Sequence, residues 1–159
     1  MPDEASSLYA VLPLVWPLQG DYRITQEYGE QKVDYARFGL LAHNGLDIAA
    51  PAGTPILAAH AGQVWAYADP GGYGITTEIW YPSRSRGALL KTIYGHQSSC
   101  CVADGAWVVA GRVSGLVGST GNSSGPHLHF GVKWLDGRVV GMRDWVDPRP
   151  YLPVRTRYR

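Results

Sequence analysis

Residues 125–134 read Gly-Pro-His-Leu-His-Phe-Gly-Val-Lys-Trp, and this stretch carries the clearest structural pattern in the chain. Side chains alternate between the two faces of a strand, so His127 and His129 would point one way and the apolar residues between them the other. On a helix the same two imidazoles would lie about 200° apart and could not share a ligand. The flanking glycines and proline also favour an extended segment. The sequence therefore predicts a strand over His127–Trp134 that closes the core and presents two imidazoles to one site.

Glycine and proline punctuate the rest of the chain. The 159 residues are enough for one domain with a sizeable core. They include 20 glycines and 11 prolines, and the short apolar stretches between them are rich in Val, Ile, Tyr and Trp. No long stretch repeats its apolar positions with the period of a helix. We therefore expect a single all-β domain with little helix.

A predicted hairpin precedes the histidine strand. Ile75–Tyr81 alternates as a strand does, and Leu89–Tyr94 follows a polar loop as its return partner. His96 lies at the end of that return strand, and Tyr94 and His96 would share a face if the strand persists. A third imidazole is thus expected to approach the site from a neighbouring strand.

The segment His43-Asn44-Gly45-Leu46-Asp47 adds another imidazole and a carboxylate. Residues four apart share a face in a helix and in a strand, so the spacing of His43 and Asp47 does not choose between them. Neutral imidazoles with one carboxylate suit zinc, and three protein ligands leave a fourth position for water, as catalytic sites require. The remaining histidine, His60, lies in a predicted turn without a motif partner and is interpreted as an ordinary polar residue.

Charge and cysteine content exclude several classes of protein. The net charge is +1, so nothing predicts binding to nucleic acid. Residues 133–159 carry seven basic and three acidic side chains, and this basic end either favours an anionic surface such as a cell wall or is simply a solvated tail. Cys100 and Cys101 are adjacent, a position from which they cannot easily bond to each other, so no disulfide framework is expected.

The first residues do not resemble a secretion signal. Residues 1–4 are acidic at the end where a signal has a positive region, and the apolar stretch 8–18 is short and contains two prolines. We expect neither a signal peptide nor a membrane span. The protein would then be made in the cytoplasm and reach a wall by lysis or another route, unless a signal had been removed.

Four segments resemble the lysostaphin-type or LytM-type zinc endopeptidases, which cleave peptide bonds in bacterial peptidoglycan. They are 43–47, 71–74, 94–96 and 119–130, and the similarity covers approximately residues 20–133. The resemblance implies antiparallel sheets that form a groove, the duplicated hybrid motif fold. Beside the catalytic domain at 21–135 we expect an N-terminal arm at 1–20, where Pro13 and Pro17 favour extended or turn conformations, and a basic C-terminal extension at 136–159.

The resemblance also implies different roles for the five site residues. His43, Asp47 and His129 would bind one zinc ion per chain. His96 and His127 would flank the water on the metal, one as general base and the other to polarise water or steady the oxyanion. Which of the two is the base stays open.

Two positions depart from the pattern of this family. Ile75 stands where an asparagine is common, and Gln97 follows His96 where an apolar residue is usual. Neither belongs to the proposed metal set. We expect them to change the groove wall or strand packing, and hence substrate preference more than activity.

The function implied is a zinc endopeptidase acting on peptidoglycan peptides, in the stem or the cross-bridge. The expected protein is a stand-alone lytic enzyme such as a phage endolysin, a monomer with no membrane insertion. One alternative is a non-catalytic LytM-like module that activates a cell-wall amidase, although such modules typically lack part of the ligand set. Another is a structural domain with a stabilising zinc, which would need a fourth protein ligand.

Overall fold

The computed structural model describes residues 14–84, 87–135 and 144–155. Within these ranges every pair of strands is antiparallel, and the regular elements besides strands are short 3-10 turns such as Tyr35–Phe38 and Arg149–Tyr151. The all-β prediction is confirmed. The strands are β1 (Ile24–Gln26), β2 (Leu46–Ala49), β3 (Pro55–Leu57), β4 (Gly62–Asp69), β5 (Gly74–Tyr81), β6 (Leu90–Cys100), β7 (Trp107–Val108), β8 (Val113–Val117), β9 (His127–Trp134) and β10 (Trp145–Val146).

The strands pair in the order β1-β2-β9-β6-β5-β4-β7, with β10 beside the end of β9, and β8 joining β6 to β3. The predicted hairpin is the pair β5 and β6, in which Trp80 pairs with Lys91. β9 has the bounds that the alternation of its sequence predicted. Its neighbours β2 and β6 place Asp47 and Gly95 directly beside His129.

The two faces of β9 have different partners. Leu128 and Phe130 are fully buried in the core, while His127 and His129 both lie near Asp47 on the other face. Burial of an apolar side chain of this size stabilises the fold by roughly 1.5–3 kcal/mol. A slip of one residue would expose these side chains and turn the histidines inward, so the apolar positions hold the register of the site.

Part of the predicted N-terminal arm belongs to the core. Leu14 and Leu18 are buried with Leu152, and the Leu14 N–H donates to the Tyr151 carbonyl at 2.8 Å. Residues 1–13 lie outside the described part of the chain, as do 136–143 and 156–159 of the predicted extension. The domain boundaries themselves stay a prediction.

β6 contains a bulge at His96 that the sequence interpretation missed. The strand does not end there: it runs on to Cys100 and changes partner from β9 to β8. Against β5 the register shifts by one residue between Tyr94 and Gln97, and His96 has a φ of 60°. The prediction that Tyr94 and His96 share a face is therefore wrong, because the left-handed backbone turns His96 toward the site while Tyr94 stays in the core.

Gln97 lies in the strand packing rather than in the groove wall. Its side chain is fully buried, and its amide donates to the Tyr94 carbonyl at 2.8 Å, across the bulge. A Cβ at position 115 would come within 1.8 Å of the Gln97 Oε1 atom, so Gly115 leaves the space that this side chain occupies.

Two further expectations concern the described residues. Cys100 and Cys101 are free thiols, as their adjacent positions predicted. Among the residues that the structure describes, no helix is long and apolar enough to cross a membrane.

Candidate active site

Three predicted ligands bring lone-pair atoms together at the end of β2 and β9. The His43 Nε2 atom lies 3.1 Å from Asp47 Oδ1 and 3.1 Å from His129 Nδ1, and the last two atoms are 3.0 Å apart. Four ligands around a tetrahedral zinc, at roughly 2.0–2.1 Å each, are separated by about 3.3–3.4 Å. The triangle is therefore close to the size that one four-coordinate ion requires.

The hydrogen bonding of His43 leaves its Nε2 atom without a hydrogen. Its Nδ1–H donates to the Glu27 carbonyl at 2.9 Å, so the neutral ring has a lone pair on Nε2, the atom that faces Asp47 and His129. The ring is only 4% exposed, which leaves little room for water. A backbone carbonyl that accepts the other ring N–H and so fixes the tautomer is the usual support of a histidine ligand.

His129 completes the triangle from β9. Burial lowers the pKa of its imidazole, and the nearby Asp47 opposes this only in part. Its Nε2 atom is buried and has no hydrogen-bond partner among the described residues. With Nδ1 as a ligand, the proton of the neutral ring would be on Nε2. The triangle then contains two imidazole nitrogens and one carboxylate oxygen, all with lone pairs directed at the same point. A bound cation satisfies such a set of atoms, whereas they cannot hydrogen-bond to one another without a proton.

Asp47 stays ionised in this setting. Burial by itself would raise the pKa of its carboxyl, but the close contacts with the His129 and His43 imidazoles outweigh that effect and hold the pKa well below its ordinary value. Of the described residues, these three form the cluster that could hold a metal ion.

His96 and His127 lie side by side next to the triangle. Their ring centroids are 4.6 Å apart, and His127 Nε2 is 3.7 Å from Asp47 Oδ2. The Nδ1–H of His96 donates to the Thr120 carbonyl at 2.7 Å, and that of His127 donates to the Gly125 carbonyl at 2.8 Å. In the neutral form of either ring, the lone pair would therefore be on Nε2. Burial lowers the pKa of His96 to about 4, so this ring is neutral near pH 7.

All five predicted site residues line one cavity of about 380 Å³. The lining also includes apolar side chains, namely Val33, Tyr35, Phe38 and Leu40. Its polar members besides the site residues include Asp69, Asn122, Ser123 and Ser124. The five predicted residues therefore share one cavity whose lining is partly apolar and partly polar. The division of the five residues into ligands and proton carriers stays a prediction.

Tyr73 and Asn44 also line the cavity, and the sequence interpretation gave them no role. The Tyr73 ring packs 5.0 Å from the His129 ring, and its hydroxyl accepts a hydrogen bond from the Asn44 amide at 2.7 Å. Burial raises the pKa of Tyr73 to about 12, so the phenol keeps its proton. Gly95 leaves space for this ring, since a Cβ there would lie 3.3 Å from it. Their positions inside the motifs 43–47 and 71–74 were the available signal.

His60 is a satisfied histidine of the core, as its lack of a motif partner predicted. It is 1% exposed, and its two nitrogens lie 2.7 Å from the Ala61 carbonyl and 2.9 Å from the Thr92 hydroxyl. Burial lowers the pKa of His60 to about 4.

Curated relatives of this chain include a DD-carboxypeptidase/endopeptidase and a murein hydrolase activator. The DD-carboxypeptidase/endopeptidase Mpg of Neisseria meningitidis serogroup B is 38% identical over 110 residues, which are 69% of this chain and 24% of Mpg. The murein hydrolase activator EnvC of Escherichia coli is 30% identical over 131 residues, which are 82% of this chain and 28% of EnvC. This chain thus spans about a quarter of the length of these relatives.

Solved structures share the fold. A mutant catalytic domain of the prophage-encoded M23 protein EnpA of Enterococcus faecalis superposes with a TM-score of 0.65 at 32% identity, covering 84% of this chain and 95% of that one. The catalytic domain of lysostaphin from Staphylococcus simulans gives a TM-score of 0.66 at 27% identity, covering 82% and 91%. The family model described as peptidase family M23 matches residues 41–144, more than half of the chain. The chain belongs to peptidase family M23.

Proposed function

We propose that this protein is a zinc-dependent endopeptidase that hydrolyses peptide bonds in bacterial peptidoglycan. His43, Asp47 and His129 would hold one zinc ion. The observation that carries the proposal is their triangle of lone-pair atoms, 3.0–3.1 Å on each side, in the lining of one cavity. Membership of a peptidase family and similarity to a DD-endopeptidase support the reaction and the substrate.

Zinc bound there would supply a Lewis acid that lowers the pKa of a coordinated water and polarises the scissile carbonyl. The three protein ligands match the number found in catalytic zinc sites, whereas structural sites use four. Within the described part of the chain, no fourth histidine, cysteine or acid joins the cluster. This composition supports a catalytic role over a purely stabilising one.

His96 and His127 would transfer the proton of the attacking water. Each has its Nδ1–H fixed by a backbone carbonyl, so each offers a bare Nε2 to an attacking water. One ring would accept the proton of that water at Nε2 and release it to the leaving amine, and its neighbour would orient the reacting oxygen. No covalent intermediate with the protein is needed. The division between the two rings is left to experiment.

The proposed setting is a stand-alone lytic enzyme such as a phage endolysin. It would be made in the cytoplasm, reach the wall by lysis, and act as a monomer without nucleic acid or membrane partners. Similarity to the catalytic domain of a prophage-encoded protein supports the phage setting. The small net charge of +1 supports the absence of nucleic-acid binding.

A second candidate function is activation of a cell-wall amidase, because EnvC is named as an activator and is 30% identical to this chain. Activation of another enzyme requires neither three metal ligands nor two imidazoles that can transfer a proton. The structure brings all five of these side chains together, which favours the enzyme.

The test is digestion of purified peptidoglycan by the metal-loaded protein. We expect release of muropeptides, loss of activity with a chelator and recovery with zinc. Mass spectrometry of the products from walls with a glycine bridge and from walls with a direct D-alanine to diamino acid link identifies the bond. Failure to cut any wall type despite stoichiometric zinc, together with stimulation of an added amidase, would establish the activator instead.

A further inference from the structure

His43 is attached to a tight turn of the chain, residues 27–30. Its ring donates to the Glu27 carbonyl at 2.9 Å. The backbone of His43 pairs with the same turn twice, since its carbonyl accepts from Gly29 N–H at 2.8 Å and its N–H donates to the Glu30 carbonyl at 2.9 Å. The position and the tautomer of this ring therefore depend on where the turn lies.

Residues 27–30 are themselves hydrogen-bonded to the segment 145–149. Both oxygens of the Glu27 carboxylate accept from the Arg149 guanidinium, one of them from Nε at 2.9 Å. One residue further on, the Tyr28 hydroxyl donates to the Trp145 carbonyl at 2.8 Å. A two-point guanidinium contact fixes direction as well as distance, which a single charge contact does not.

The segment 145–149 is itself anchored to the sheet. Trp145 pairs with Lys133 in β9, and its buried ring lies over Gly131, where a Cβ would approach within 2.9 Å. The Arg149 N–H donates to the Asp147 carboxylate at 3.0 Å, which shapes the chain at this point. A continuous support of contacts thus reaches from β9 through Arg149 to the turn that holds His43.

Both halves of this support lie outside residues 41–144, the stretch that matches the family model. The turn precedes that stretch and the segment 145–149 follows it. We propose that Arg149 is a positioning residue of the metal site, which acts through Glu27 to keep His43 in the Nδ1–H tautomer with Nε2 toward Asp47 and His129. This inference rests on the proposed function for the identity of the metal.

The physical basis is the ring's choice of tautomer. Without a fixed acceptor at Nδ1, a neutral imidazole can place its proton on Nε2, and that nitrogen then has no lone pair for a metal. Loss of a direct outer-shell partner of a histidine ligand typically costs 10–100-fold in metal affinity. Arg149 acts one step further out, through the backbone of Glu27, so the expected loss is at the lower end, about tenfold.

Zinc titration of the metal-free full-length protein against a chromophoric chelator measures this loss. We expect Arg149→Ala to weaken zinc binding about tenfold, and Arg149→Lys to weaken it less because the charge stays while the two-point contact is lost. Arg155→Ala is the matched control. Arg155 also comes from the C-terminal part, donates to the carbonyls of Leu18 and Gly20, and covers Trp16 away from the site. Its replacement should leave zinc affinity within about twofold of the wild type.

A double-mutant cycle separates the support from general destabilisation. If Arg149 acts through Glu27, the double variant Glu27→Ala/Arg149→Ala should bind zinc no more weakly than Arg149→Ala alone. Nitrogen NMR of the metal-free protein gives a readout that needs neither zinc nor substrate. His43 should be the Nδ1–H tautomer in the wild type and a mixture in Arg149→Ala, while the signals of His60 stay unchanged.

Unchanged zinc affinity and an unchanged His43 tautomer in Arg149→Ala would overturn the proposal. Equal losses in Arg149→Ala and Arg155→Ala would overturn it too, because they would report global stability. If the wild type bound no zinc at all, the proposed function would fail, and the tautomer measurement would still decide the role of Arg149.

Discussion

The two histidines of the predicted metal set and His60 are all buried but lie in opposite chemical surroundings. His43 and His129 are 4% and 3% exposed, and each directs a nitrogen toward the other ring and a carboxylate. His60 is 1% exposed, and its two nitrogens contact a carbonyl and a hydroxyl that satisfy them. Burial alone therefore does not separate a candidate ligand from a structural histidine.

The difference lies in what the lone pairs face. In the core, the hydroxyl of Thr92 also bonds to Tyr94, whose oxygen accepts from the Ala59 N–H, so the network needs nothing from outside. At the site, three lone-pair atoms face one another and an added cation completes them. Substitutions at the site should therefore affect metal and catalysis, and substitutions around His60 should affect stability alone.

The largest effect is expected from His129→Ala. The change removes one of three ligands and leaves Asp47 facing a cavity, so zinc and activity should be lost together, by about a thousandfold or more in turnover. Elemental analysis of the purified variant and digestion of peptidoglycan measure the two losses. A variant that kept stoichiometric zinc would remove His129 from the ligand set.

His127→Ala should separate chemistry from metal binding. Its ring is expected to carry a proton rather than hold the ion, so turnover should fall by roughly 10²–10⁴-fold while most of the zinc remains. The same pair of measurements applies, with His96→Ala in parallel. Whichever variant regains rate at raised pH, where hydroxide is abundant, would have lost the general base. Full activity of His127→Ala would refute its assignment.

β9 shows how much of the site could be predicted from sequence. Its alternation alone predicted the strand, its core face and the common face of His127 and His129, because a strand has a strict period of two. The approach of Asp47 to the same place follows from the pairing of β2 with β9, which no local spacing reports. The resemblance to a family supplied that part.

Other features had no local signal at all. The orientation of His96 depends on a bulge and a positive φ, and neither histidine nor its neighbours mark such a backbone in advance. Glu27 and Arg149 are 122 residues apart, and their contact results from the path of the whole chain. Periodicity predicts what one strand presents to its two faces, whereas contacts between distant segments depend on the complete fold.

The pH dependence of stability tests the role of the core histidine, His60. The pKa of His60 is about 4 in the folded protein and 6.5 ordinarily, so between these values the unfolded chain binds a proton that the folded chain does not. Stability should be full above pH 6.5 and fall by roughly 3 kcal/mol as the pH drops to 4. Urea unfolding of the wild type and His60→Gln across this range isolates the effect. Equal slopes for the two proteins would show that His60 does not contribute.

The smallest effect is expected from Thr92→Val, which removes one hydroxyl from the core network. The substitution keeps the shape of the side chain but removes one hydrogen-bond partner from His60 and one from Tyr94, which keep their contacts to Ala61 and Ala59. A buried polar group that loses its partner costs roughly 1–3 kcal/mol, so the midpoint of urea unfolding should fall. Zinc affinity and turnover of the folded variant should match the wild type, because Thr92 is buried beside His60 and does not line the site cavity. A loss of zinc in this variant would mean that the core histidine and the site histidines are coupled, and the separation between the two regions would not hold.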